Sequence, residues 1–128
     1  MKTTKKQFDL FRSECQRLTK KWGLVGWRIE YIWDGEDRKE RASIGVGLSG
    51  RVVTFYFPKD WHDDIKPTDQ VIIESARHEV CHLLSARLRS LAVQRFTSED
   101  EIYEANEELA RLIDNAVKEG YQGLERKV

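Results

Sequence analysis

Phe8, Phe11, Cys15, Leu18 and Trp22 recur at helical spacing, with lysine, arginine, glutamine and glutamate between them. The pattern predicts an amphipathic helix over residues 4 to 22, ended by Gly23, whose apolar stripe faces a core. Trp27, Ile29, Tyr31 and Trp33 then alternate with Arg28, Glu30 and Ile32, the period of two of a strand, before the polar turn Asp34-Gly35-Glu36-Asp37. Apolar runs at 41–48 and 51–57 flank Ser49-Gly50, a short break that fits a hairpin. A three-stranded, mostly antiparallel sheet is expected from these segments.

Pro58 closes the last strand, and Lys59 to Pro67 reads as a polar loop holding Trp61 and His62. Thr68 or Asp69 caps a long helix predicted over about 70 to 94, with Ile72, Ile73, Ala76, Val80, Leu83, Leu84, Leu88 and Leu91 as its apolar face. Ser98 followed by Glu101 has the form of a capping box, so a last helix is predicted from 99 to about 119, stopped by Gly120, with a frayed tail beyond about 120. The order is N-terminal helix, three strands, helix, helix. It predicts an α+β fold with helices on one face of the sheet.

A length of 128 residues suits a single domain spanning 1–128. With 22 Lys and Arg against 22 Asp and Glu, no global field draws the chain to nucleic acid or to an anionic membrane. Cys15 and Cys81 fall on separate predicted helices and nothing resembles a secretory signal, so reduced thiols in a cytoplasm are expected. No stretch approaches the roughly 18 to 20 apolar residues of a membrane span.

The chemistry concentrates in His78-Glu79-Val80-Cys81-His82, in the middle of the long predicted helix. Residues four apart share a helix face, so His78 and His82 can direct ring nitrogens at one metal ion. Glu79 is set to one side, where it can take a proton from water activated on that ion. This division of labour explains the spacing H-E-x-x-H. The two histidines lie roughly opposite the apolar face set by Val80 and Leu84, in a stripe with Ser75 and Ser85, a placement that opens to a cleft. Cys81 reads as a small buried hydrophobe and not as a ligand.

Catalytic zinc usually takes three protein ligands. His62 sits beside Asp60, Asp63 and Asp64 and reads as an exposed loop residue, with the segment 60 to 64 as a candidate cleft rim. The last helix offers Glu101, Glu104, Glu107 and Glu108. Folding back around residues 96 and 97 favours Glu107 or Glu108, since Glu101 already serves the cap of Ser98; Glu104 stays open on spacing. Arg77, Arg87, Arg89 and Arg95 read as the solvated side of a helix and not as a nucleic-acid stripe.

H-E-x-x-H with a glutamate on the following helix resembles the gluzincin group of zinc metallopeptidases. In that group the glutamate is commonly followed three residues later by a small residue, a form that Glu107 with Ala110 has and Glu104 and Glu108 lack. The aromatic-rich first helix and strand, H-E-V-C-H and E-E-L-A-R-L-I-D-N together are also similar to small phage- and prophage-encoded proteins described as metallopeptidases. The resemblance implies a zincin-like fold, Zn2+ held by His78, His82 and Glu107, Glu79 as base, and a peptide or protein substrate. If the chain is phage-encoded, it implies the host cytoplasm as its location. It also implies that an edge strand pairs with an extended peptide, a role open to either strand of the hairpin 41–57. Two features depart from the pattern: Arg111 stands where an acidic residue usually supports a zinc histidine, with Asp114 one turn on, and no second lobe walls the cleft. A protein partner completing the cleft fits that absence. Three readings follow: a zinc metallopeptidase; a zinc hydrolase of a non-peptide bond or a zinc-stabilised interaction module; and a module without metal.

Overall fold

The computed structural model describes residues 1–34, 41–61 and 66–125, with side chains through residue 117. Helix α1, Lys5–Lys21, begins at a reciprocal cap, in which Gln7 N–H donates to Thr4 Oγ1 at 3.2 Å and Thr4 N–H donates to Gln7 Oε1 at 2.9 Å. Phe8, Phe11, Cys15 and Leu18 form its buried face. Gly23, at φ +72°, ends it in the left-handed conformation that glycine adopts without strain.

Strands β1 (Arg28–Asp34), β2 (Ser43–Gly47) and β3 (Val52–Pro58) make one sheet in the order β1-β3-β2. The hairpin β2–β3 is antiparallel, with Ile44 opposite Phe55, as expected. The mostly antiparallel sheet is corrected by β1, which runs parallel to β3 with Tyr31 beside Phe55. Alternation identifies strands but not neighbours. Here β3 takes the centre because Val53, Phe55 and Phe57 are wholly buried, while β1 exposes Arg28 and Glu30 and β2 is short and glycine-rich.

Helices α1 and α2 (Asp69–Leu84) pack against each other, and a continuous core joins Phe8 and Phe11 to Val53, Phe55 and Phe57 and to Ile72, Ala76 and Val80. Aromatic contacts knit these layers: Phe11–Phe57 at 5.0 Å, Tyr31–Phe55 at 5.5 Å and Phe8–Trp33 at 6.1 Å between ring centroids. Trp61, expected at a loop rim, is instead core, 1% exposed and edge-on to Phe57. Its backbone N–H donates to Met1 O at 2.8 Å, so the first residues lie along 59–61 and seal that end of the core. His62, Asp63 and Asp64 lie outside the described residues, as do Glu36 and Asp37.

Thr68 is the cap of α2, accepting from Val71 N–H at 3.3 Å. The single helix expected to 94 is broken at Ser85 (φ −101°, ψ 7°), after which α3 runs Ala86–Val93. The last helix, α4 (Glu99–Glu125), starts at the expected capping box, where Glu101 N–H donates to Ser98 Oγ and Ser98 N–H donates to Glu101 Oε1, each at 3.1 Å. It continues through Gly120 and Gly123, because an interior glycine weakens a helix by only about 1 kcal/mol and does not by itself end one. Helix α4 rests chiefly on α3 and touches α1, where Asn115 Nδ2 donates to Trp22 O at 3.4 Å. Among the described residues no helix is long and apolar enough to cross a membrane.

Candidate metal centre and cleft

Three elements build one open cleft of about 950 Å³: the β2 segment, α2 and α3. From the helices come Ser75, His78, Glu79 and His82, then Ala86, Arg89, Ser90 and Val93. These positions keep a helical period straight across the break, so α3 presents the same face to the cleft as α2. Ser85, expected in this polar stripe, is instead the break itself, and Leu84 is only half-buried. From the sheet come Ala42, Ser43, Ile44, Val46 and Leu48. Because β3 is central, only β2 of the hairpin has an outer edge, and its outward N–H and C=O groups have no strand partner among the described residues.

His78 and His82 bring their Nε2 atoms to 3.2 Å, with ring planes at 90°. Two nitrogens about 2.05 Å from one tetrahedral zinc ion stand about 3.3 Å apart, so the observed spacing fits such an ion. Two lone pairs this close repel one another unless a proton or a cation lies between them. Glu79 completes a group of three donors whose ligand atoms all lie within 4.8 Å of one another. Two imidazoles and a carboxylate are a donor set suited to zinc. Both rings are exposed, whereas Glu79 is 7% exposed, at the border between the cleft and the core face of Ile72, Ala76, Val80 and Leu83.

Behind Glu79 lies Cys15 of α1, fully buried. Burial pushes its thiol pKa up, and the nearby Glu79 and Glu14 charges push it further in the same direction. Tyr31 is shifted up too, first by burial and then by Cys15. Cys81, expected to be a buried hydrophobe, is exposed and unbridged. The sulfur facing the core beneath this site therefore belongs to α1.

Glu101, Glu104, Glu107 and Glu108 are not brought to the histidines. Glu107 is exposed and stands outside the three-donor group, and Glu101 is held by Ser98. Glu104 and Glu108 pair with Arg87 at 3.3 and 3.5 Å, and Glu108 also reaches Arg51 at 4.0 Å. Helix α4 touches α2 but rests mainly on α3, where Glu104 and Glu108 meet Arg87 and not the face of His82. Among the described residues of α4, none lines the cleft. Arg87, expected to be solvated, is thus an inter-helix partner. Arg89, also expected to be solvated surface, lines the cleft, and extending the 75-78-79-82 period past Ser85 reaches it; Arg41 carries no such signal.

Comparison with known proteins finds no family model, no curated protein and no solved structure that matches this chain.

Proposed function

We propose that the chain is a zinc-dependent metallopeptidase. The observation that carries this reading is the convergence of His78 and His82 Nε2 at 3.2 Å beside the buried carboxylate of Glu79, on the wall of an open cleft. His78 and His82 hold the ion. A bound zinc supplies Lewis-acid polarisation of the scissile carbonyl. The free edge of β2 holds an extended peptide by main-chain hydrogen bonds and aligns its carbonyl with the histidines. Glu79 accepts a proton from the attacking water as the new C–O bond forms. It then delivers that proton to the leaving nitrogen as the C–N bond breaks, so the water is divided between the new carboxyl and amine ends.

A second reading is favoured by one observation: among the described residues only Glu79 joins the two histidines. If Glu79 is itself the third ligand, the site has no base and is a zinc-stabilised binding module. Glu79→Gln separates the two, with zinc content and hydrolysis of unfolded casein as readouts. A peptidase keeps its zinc and loses cleavage, by about 100-fold or more. Loss of the zinc together with Glu79 selects the binding module, and a zinc-loaded wild type that cleaves nothing refutes the peptidase.

A further inference from the structure

The four arginines around the zinc-helix motif are not equivalent. Arg87 is taken by Glu104 and Glu108, Arg95 lies over the Phe96 ring at 5.4 Å, and Arg77 is exposed outside the cleft lining. Arg89 alone of the four lines the cleft. It is exposed, and no ion pair or side-chain hydrogen bond engages its guanidinium among the described residues. It follows His82 by seven residues on the shared face, a rise of about 10 Å for an unbroken helix of that length. The opposite end of that face carries Glu74, four residues before His78, whose carboxylate already accepts from Gln70 Nε2 at 3.1 Å. The cleft is therefore polarised along its length, with a committed acid at one end and an uncommitted cation at the other.

We propose that Arg89 is a specificity-determining residue that binds a carboxylate of the substrate, on the reading of the cleft as a peptidase site. A guanidinium presents paired N–H donors matched to the two oxygens of a carboxylate. An extended peptide advances about 3.3 Å per residue, so a distance of about 10 Å sets that carboxylate about three residues from the scissile bond. A chain-terminal carboxylate and an aspartate or glutamate side chain share this chemistry.

The test reads binding, independently of turnover. Zinc-loaded wild type and Arg89→Gln are titrated calorimetrically with three ligands: a hydroxamate-headed Leu-Ala-Ala peptide ending in a free carboxylate, its carboxamide, and a carboxamide ending in Glu. One acidic ligand or both should bind wild type about tenfold more tightly than the neutral carboxamide, and whichever gains identifies the source of the carboxylate. In Arg89→Gln the acidic ligands should fall to the neutral affinity, and in wild type the gap should narrow as salt is raised. Because Arg89 is exposed, circular dichroism of the variant should match wild type. Equal affinities in wild type, or a gap that survives Arg89→Gln, overturn the assignment while the metal centre stands on the neutral ligand's binding. If the protein takes up no zinc, or no ligand binds the zinc-loaded protein, the metal-centre reading fails and the assignment falls with it.

Discussion

Removing one imidazole tests the metal centre through stability, with no substrate needed. His78 and His82 are both exposed, and among the described residues their side chains hydrogen-bond only to each other, so His82→Ala in metal-free protein should change stability by no more than about 0.5 kcal/mol. The situation differs once zinc is present. An ion that binds the folded chain alone stabilises it by RT ln(1 + [L]/Kd), about 2.7 kcal/mol when free zinc is a hundredfold above Kd. For a chain of this length 1 kcal/mol moves Tm by about 3–5 °C, so zinc should raise the melting temperature of wild type by roughly 10 °C. Chelator should reverse the rise. His82→Ala should melt where metal-free wild type does, with or without zinc, and acidification should erode the wild-type rise because a metal competes with protons for its ligands. Scanning calorimetry at matched zinc and chelator concentrations measures all of this. A wild type that zinc does not stabilise, or a variant that retains the full rise, would refute the assignment of these two side chains as ligands.

Other consequences of the structure can be checked alongside. Phe55→Ala removes a wholly buried ring that contacts Phe11 and Tyr31, and urea denaturation should show a loss of about 3–5 kcal/mol. Cys15 has its pKa raised above 9.0 in the folded chain, so the folded form retains a proton that the unfolded form releases. Stability should therefore fall as pH rises past 9.0, by up to about 1.4 kcal/mol per pH unit from this group, and Cys15→Ala should flatten the decline; an unchanged slope would show that the thiol is not the cause. Glu107→Gln should leave zinc affinity unchanged in an equilibrium competition with a chromophoric chelator, since Glu107 stands outside the donor group; a drop of tenfold or more would return it to the ligand set.

Periodicity made most of the fold legible, because each element buries one face. The α1 stripe, the β2–β3 hairpin, both histidines and the Ser98–Glu101 box all stand where spacing puts them. What spacing left open was relation between elements. The parallel partnership of β1 and β3 depends on which strand is most apolar overall, a comparison among strands and not within one. Polar residues surround Trp61 in the sequence and suggest a loop, yet Met1 supplies its backbone partner across nearly the whole preceding chain. The third ligand was out of reach for a similar cause: several glutamates on α4 satisfy the spacing, and only the placement of α3 reveals that two of them meet arginine.

Helix α3 also explains how one short segment serves two charged tasks. Residues two apart on a helix point about 200° from each other, so Arg87 and Arg89 take opposite sides. Arg87 is turned to α4 and Arg89 to the cleft. The cleft-facing period of α2 continues into α3 beyond the Ser85 break, so the arginine facing α4 is satisfied while the one facing the cleft is left uncommitted. The two effects should then separate. Arg87→Ala breaks partly exposed pairs and should cost up to about 1 kcal/mol of stability while leaving any preference for a carboxylate ligand intact. Arg89→Gln should do the reverse, and the double variant should show both effects added, as for side chains with no shared partner. If Arg87→Ala erased the carboxylate preference, the position of α3 and not the charge of Arg89 would be what the ligand reads.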